Sequence, residues 1–402
     1  MKTEIITNDI KKAAEIIRNG GLVAVPTETV YGLAGSGLNE KAVNNIYEVK
    51  GRPAIKPLSL MVPDAGAMEK YCLEVPEQAK VLAEKFWPGP LTIVLKAKEH
   101  IPSIVLAGGD TVGLRCPDHP LTLELLKECA LPLAAPSANP SGAESPKNAE
   151  TVMEYFDSKI EAVIDGGPCG IGLESTIIDM TKAPYKILRQ GALAAEEIAK
   201  TLASKLKIIG ITGGTGCGKT TALNVLDDMG ALILDCDKVY HELLAESEAL
   251  RNELDVAFPG SVQDGKVDTK ALGKIVFSDE NELKKLNEIT HRHILIETDR
   301  RMAEHAMNGG TIAALDAIEL ISSGMADICC STLAVLADKE LRAQRIMARD
   351  NVSREYAMLR IEAQKPDSYF IENCSHYIYN NADPDSFEAA CIQLFKEVLK
   401  NG

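Results

Sequence analysis

The sequence predicts two domains, an α+β half followed by an α/β half with a doubly wound parallel sheet. Three observations carry that expectation. The chain has 402 residues, and single cores rarely grow beyond about 250 to 300 residues. Strands and helices alternate after residue 207, the order that favours a parallel sheet, but they mix without strict alternation before it. Between the halves, GALAAEEIAKTLASK (residues 191–205) reads as a closing helix, and the β-branched run LKIIGIT after it reads as a buried parallel strand. The expected boundaries are 1–195 for the first domain, 196–206 for a connection and 207–402 for the second.

In the first half, GLVAVPTETVYGLAG reads as a strand ended by Pro26, then a turn and a loop. EKAVNNIYEVKG has helical spacing, and LTIVLKA and TVGLRCP are strand candidates separated by a glycine-containing loop. In the second half, LKIIGIT is followed by a helix from Lys219 and then by the strand candidates ALILDCD, TIAALDA and STLAVLAD.

A composition of 46% hydrophobic and 25% charged residues is that of a globular chain. Through Ala192 there are 20 Lys and Arg against 24 Asp and Glu, leaving 23 against 34 from the totals of 43 and 58. Neither half is basic, which argues against a broad nucleic-acid-binding surface. Apolar runs fall short of the roughly 18 residues that span a bilayer, and the N-terminus has no signal core, so no membrane association is expected and the chain reads as cytoplasmic. Ten cysteines without a CxxC pair are expected to be reduced thiols.

Within GITGGTGCGKTT (residues 210–221), Gly213, Gly218, Lys219 and Thr220 satisfy GxxxxGK[ST] between a buried-type strand and a helix. The run Gly213, Gly214, Thr215, Gly216, Cys217, Gly218, Lys219, Thr220, Thr221 can converge backbone N–H groups on nucleotide phosphates. Lys219 would bridge the β and γ phosphates, and the Thr220 hydroxyl would bind Mg2+. Asp235 and Asp237 stand at the carboxyl end of the next strand, the ligand edge of a doubly wound sheet. There one could take the proton of an attacking hydroxyl and the other hold Mg2+ through water, or the pair could simply end a strand and cap a helix. Arg342, Arg345 and Arg349 share one helix face, fitting either a solvated surface or a lid over a transferring phosphoryl group.

TGGTGCGKTT, DCDKVYHELL, LNEITHRHI, the arginine run and HYIYNNAD, in that order, resemble dephospho-CoA kinases over residues 207–400. The resemblance implies a P-loop kinase with a CoA-binding helical region and a lid, phosphorylating the ribose 3′-hydroxyl of dephospho-CoA with ATP. It also implies that Asp237 is the base, which leaves Asp235 as the acid to serve with Thr220 at Mg2+; that Arg345 and Arg349 lie near the phosphates; and that His291 belongs to the CoA-binding region. Arg292 stands where that family usually has proline, and AIELISS where it has a PLL-type segment.

The first half has no glycine loop. Lys50, Arg52 and Lys56 gather in a proline-bounded loop that is either an exposed turn or a rigid anion site. With PTETVYGLAG, KGRP, TVGLRCP, APSANPSG, ESTIID and LRQG in order, residues 5–192 resemble the YrdC-type threonylcarbamoyl-AMP synthases. That resemblance implies an α+β domain with a twisted mixed sheet that joins L-threonine, bicarbonate and ATP into threonylcarbamoyl-AMP and pyrophosphate. A tRNA-modifying transferase complex would act downstream, with at most weak tRNA contact here. Thr29 and Arg115 would hold threonine, with Ala135 and Ser175 enclosing it. Lys50, Arg52 and Lys56 would neutralise triphosphate and bicarbonate, and Thr111, Ser137, Asn139, Ser145 and Arg189 would line the nucleotide. Met61 replaces a histidine common in relatives. The alternative is an RNA-binding module fused to a P-loop kinase of a nucleoside or other small alcohol.

Overall fold

The computed structural model describes residues 2–401. It divides into two compact units, one spanning residues 1–202 with 307–309 and the other covering the rest.

The first unit is built on ten strands: β1 (Glu4–Ile6), β2 (Val23–Val25), β3 (Gly32–Ser36), β4 (Leu60–Met61), β5 (Leu91–Lys96), β6 (Thr111–Arg115), β7 (Leu133–Ala134), β8 (Ala162–Ile164), β9 (Thr176–Asp179) and β10 (Lys186–Arg189). They form one sheet in the order β1-β8-β2-β3-β7-β4-β6-β5-β9-β10. It is mixed: β4 and β6 run parallel, while β5 and β6 are antiparallel. Residues 32–36, expected as loop, form the central strand β3 instead. Three glycines in YGLAGSG weaken the strand signal in sequence but let neighbours approach, since a Cβ at Gly35 would stand 2.9 Å from Leu22 Cδ2. One face of the sheet packs on the helices Ile10–Arg18 and Pro120–Cys129, whose Ile17, Leu125 and Leu126 are fully or almost fully buried. The helix Glu40–Lys50 starts on an Asn39 cap and ends at Gly51 in the left-handed region, φ 59°.

The second unit contains β11 (Lys207–Thr212), β12 (Leu232–Asp235), a small hairpin of β13 (Val262–Gln263) and β14 (Lys266–Val267), then β15 (Ile312–Asp316), β16 (Ser331–Leu336) and β17 (His376–Tyr379). The main sheet, ordered β12-β15-β11-β16-β17, is parallel throughout. Alternation along the strands covers both faces. Ile209, Ile211, Leu333 and Val335 pack against the helices Lys219–Asp228 and Pro384–Asn401, while Ala334 and Leu336 pack on Phe370 of the other side. Burying each such branched side chain contributes about 1.5–3 kcal/mol. The helices Cys236–Glu246, Glu248–Ala257, Thr269–Val276 and Glu280–Met307 share a separate core around Leu250, Leu254, Phe258 and Leu272. The helices Lys339–Asp350 and Arg354–Glu362 form a third small core on Ile346 and Ile361. No helix among the described residues is long and apolar enough to cross a membrane.

Candidate functional site

In the first unit a cleft opens beside the carboxyl end of β6, where Arg115 stands. Arg52, Arg115 and Arg189 line it with Ala135, Ser137 and Ser175. Met61 is on the same wall. The three guanidinium groups are held differently. Arg115 Nη2 donates to Thr29 Oγ1 at 2.8 Å and to Glu28 Oε1 at 2.7 Å, and the Arg115–Glu28 side chains are only 8% and 12% exposed. Glu28 Oε2 accepts from the backbone N–H of Asp118, so that pair is fixed to the main chain. Its Nη1 group makes no hydrogen bond to another described residue, which leaves donors for a ligand carboxylate. Arg189 donates to Ser175 O at 2.7 Å and to Glu174 Oε2 at 2.6 Å. Arg52 Nη2 donates to Pro57 O at 3.1 Å, and burial depresses its pKa.

The other expected residues stand off the cleft wall. Lys50 is buried behind it, donating to the carbonyls of Ser137 and Asn139. Burial, with Arg52 nearby, pushes the Lys50 ammonium down to about 8. It thereby fixes the loop that carries Ser137. Thr29 is fully buried, its hydroxyl shared between Thr27 and Arg115. Asn139 donates to Pro140 O and Ala143 O, shaping the same loop. Ser145 donates to Glu174 Oε1 at 3.1 Å. Lys56 is exposed on the turn after Arg52, and Thr111 begins β6, at the far end from Arg115.

In the second unit the loop after β11 has Gly213 at φ 136°, Gly216 at 79° and Gly218 at 96°, backbone that side chains strain to adopt. A Cβ on Gly213 would lie 2.2 Å from Val335 O. The loop leads into the N-terminus of the helix Lys219–Asp228, so amides and the helix dipole face one pocket, lined also by Lys219, Thr220, Asp316, Arg345, Arg349 and Arg360. Lys219 Nζ donates to Gly213 O at 3.2 Å. Arg345 bridges the loop to β17's end, donating to Gly216 O at 3.3 Å and Asn380 O at 3.1 Å, while Asn380 Nδ2 donates to Cys217 O. Arg349 reaches Thr215 Oγ1 at 3.4 Å, and Asp350 pairs with both Arg349 and Arg360, which hold its carboxyl down to about 2.

Arg342 does not join them over the pocket. It is 3% exposed beneath the loop, where Nε donates to Thr215 O at 3.0 Å and Nη2 to Gln364 Oε1 at 2.7 Å. Gln364 Oε1 also accepts from Thr215 N at 3.0 Å. Spacings of three, four and seven put three arginines on one side of a helix, but that side wraps around the loop, so the first residue packs below it and the later two above.

Asp235 and Asp316 pair in register at the carboxyl ends of neighbouring strands. Asp235 caps the next helix by accepting from Lys238 N, and Asp237 sits in that helix's first turn. Asp316 Oδ1 is buried with no hydrogen-bond partner. Burial, with Asp235 and Asp237 adding to it and Lys219 opposing, raises the Asp316 carboxyl to about 6. An unpaired buried carboxylate oxygen in the pocket that Thr220 also lines is a donor set that fits Mg2+. His291 lies on the long helix Glu280–Met307, where neighbouring Arg292 and His293 both bind Glu253 of the helix Glu248–Ala257.

Residues 15–191 match the Sua5/YciO/YrdC family model, described as telomere recombination, and residues 207–385 match the CoaE model, described as dephospho-CoA kinase. A threonylcarbamoyl-AMP synthase of Pyrococcus abyssi is 50% identical over 193 residues, 48% of this chain and 57% of its own length. A putative threonylcarbamoyl-AMP synthase of Methanocaldococcus jannaschii is 39% identical over 49% of this chain and 94% of its own. A dephospho-CoA kinase of Geobacter sulfurreducens is 34% identical over 47% of this chain and 98% of its own. The chain belongs to both families. It spans little more than half the length of the P. abyssi relative and of a Bacillus subtilis one.

Two residues of these paired YrdC and CoaE domains escape sequence reasoning. Asp316 ends the strand TIAALDA, and an acid at the ligand edge next to the P-loop strand was its available signal. Glu174, in ESTIID, is the single carboxylate among the described residues of the YrdC-domain cleft wall, and nothing in its spacing marks it.

Proposed function

We propose that the chain is a bifunctional enzyme whose two units work on separate triphosphates. The first forms threonylcarbamoyl-AMP and pyrophosphate from L-threonine, bicarbonate and ATP. The second transfers the γ-phosphoryl group of ATP to the 3′-hydroxyl of dephospho-CoA, giving CoA and ADP. The observation that carries this reading is the pair of anion-binding centres, an arginine-walled cleft and an arginine-capped P-loop, each within its own unit.

In the first unit, Arg115 takes the threonine carboxylate, oriented by Thr29 and Glu28, while Ala135 and Ser175 enclose the amino acid. Carboxylation of its amine leaves a carbamate that must approach the α-phosphate, so two anions meet. Arg52, Arg189 and Ser137 lower that repulsion by receiving phosphate oxygens. Lys50 and Asn139 hold the Ser137 loop in place from behind. The acyl-phosphate anhydride so formed is activated for transfer and would be consumed by a tRNA-modifying transferase.

In the second unit the loop amides and Lys219 receive the β and γ phosphates, and Arg345 and Arg349 close on the transferring group. Asp237 accepts the proton of the attacking hydroxyl, and His291 belongs to the acceptor side. Thr220 and Asp316, with Asp235 beside them, would hold Mg2+, which supplies charge neutralisation at the phosphates when bound.

Full-length protein should release pyrophosphate only when threonine, bicarbonate and ATP are all present, and should separately convert dephospho-CoA and ATP to CoA and ADP. Failure of either reaction in folded protein removes that half of the reading. Faster turnover of a nucleoside than of dephospho-CoA would replace the proposed acceptor.

A further inference from the structure

We infer that Glu174 is a resident anion of the first cleft, occupying the nucleotide's phosphate subsite until the nucleotide displaces it. The inference rests on the synthase reading and deepens it. The cleft wall carries three arginines and this one carboxylate among its described residues. Its two oxygens accept from Arg189 Nη1 at 2.6 Å and Ser145 Oγ at 3.1 Å. Arg189 is proposed to meet the phosphates and Ser145 is expected to line the nucleotide, and Arg52, also proposed to receive phosphate oxygens, lies within electrostatic range of the carboxylate.

The other acid of the site is held in a contrasting way. Glu28 is pinned by a backbone amide and its ion pair is buried, so removing its charge would leave Arg115 uncompensated. Glu174 is gripped only by side chains, and its pair with Arg189 is 39% and 41% exposed. Its main chain is fixed, with Glu174 O accepting from Ala192 N at 2.9 Å and a Cβ on Gly191 coming within 2.3 Å of that oxygen. The carboxylate can therefore swing out while the wall stays in place. While in place, it keeps Arg189 and Ser145 pointing toward an anion; once a phosphate arrives, it is a like charge that must leave.

The test uses full-length protein and measures tripolyphosphate binding by calorimetry as two sites; the P-loop site is the one that Lys219→Ala weakens, and the first cleft is the other. Glu174→Gln keeps an oxygen for Arg189 but removes the charge, and should tighten tripolyphosphate roughly two- to tenfold. Glu28→Gln, which removes the same charge from the pinned position beside Arg115, should tighten it less than Glu174→Gln does. Unchanged or weaker binding in Glu174→Gln, equal tightening in both variants, or no binding in any of them overturns the inference. The underlying synthase reading is judged separately, by threonine-dependent pyrophosphate release from protein with wild-type Glu174. Its loss with tighter tripolyphosphate binding would leave Glu174 as a resident anion of a site with another use.

Discussion

On the proposed reading, the two centres would receive similar phosphates with different materials. The second unit uses main chain: consecutive amides around Gly213, Gly216 and Gly218, at positive φ, with the helix start behind them. The first uses side chains collected from residues 52 to 189, each aimed by its own partner, Glu28 for Arg115 and Glu174 for Arg189. A backbone cradle cannot be edited without distorting the chain, whereas a cleft of side chains can be retuned one residue at a time. Two of the cleft's arginines carry an acid partner, Glu28 and Glu174, a compensation that neutral amides do not require.

Four experiments sharpen or break this contrast, beginning with the largest effect. Lys219→Ala should lower ADP formation from dephospho-CoA and ATP by about a thousandfold or more and leave threonine-dependent pyrophosphate release intact. A parallel loss of both activities would mean that the centres are not independent. Arg115→Lys removes the planar fork and should raise the threonine KM by roughly a hundredfold. ADP formation should be untouched, and a change confined to kcat would place Arg115 elsewhere than on the carboxylate.

The third experiment compares glycines. Gly213→Ala forces a Cβ to within 2.2 Å of Val335 O at φ 136°, and should cost about 2–4 kcal/mol in urea unfolding of the second unit. In the first cleft, the tightest contact of a Cβ from Gly32→Ala is the flexible Met61 Cε at 3.2 Å, with Ala135 Cβ and Pro136 O at an ordinary 3.6 Å, so it should cost less than about 1 kcal/mol. Equal costs would erase the distinction between main-chain and side-chain sites.

The smallest effect concerns Asp316. Its folded carboxyl, at about 6, lies above its ordinary 3.8, so the native state binds more protons than the unfolded chain between those values. Stability therefore falls as pH rises through that window, and ionised Asp316 destabilises the Mg2+-free protein at neutral pH. Asp316→Asn should raise stability by about 1–2 kcal/mol at pH 7 and change it little near pH 4, while kinase activity is lost. Melting curves at the two pH values decide the matter, and equal shifts at both would refute the assignment to ionisation.

The contrast also explains what sequence could reveal. The P-loop is contiguous, so its glycine pattern, its strand and the helix from Lys219 are all written within a dozen residues. The parallel order around it follows from the alternation of apolar strands with helices. Asp316 is nearly a hundred residues from Lys219, and only the pairing of β11 with β15 brings them together. Arg342 shows the limit of helical spacing, which assigns a shared face but not what that face covers. In the first unit, ordered short blocks marked the family, yet Lys50 and Thr29 fall behind the wall and Thr111 stands at the end of its strand away from Arg115. Side-chain depth depends on tertiary packing that no local pattern encodes. Residues 32–36 were obscured for the opposite reason, because glycines chosen for close approach mimic a loop.

Thr215 offers both its amide and its carbonyl to partners below the P-loop, the amide to Gln364 and the carbonyl to Arg342. The cradle thus has a handle on its underside. Any occupant that tightens or loosens its first limb pulls on the turn that carries Gln364, Lys365 and Pro366. Hydrogen exchange at the amides just past that turn should then read nucleotide occupancy from a segment outside the lining of the P-loop pocket.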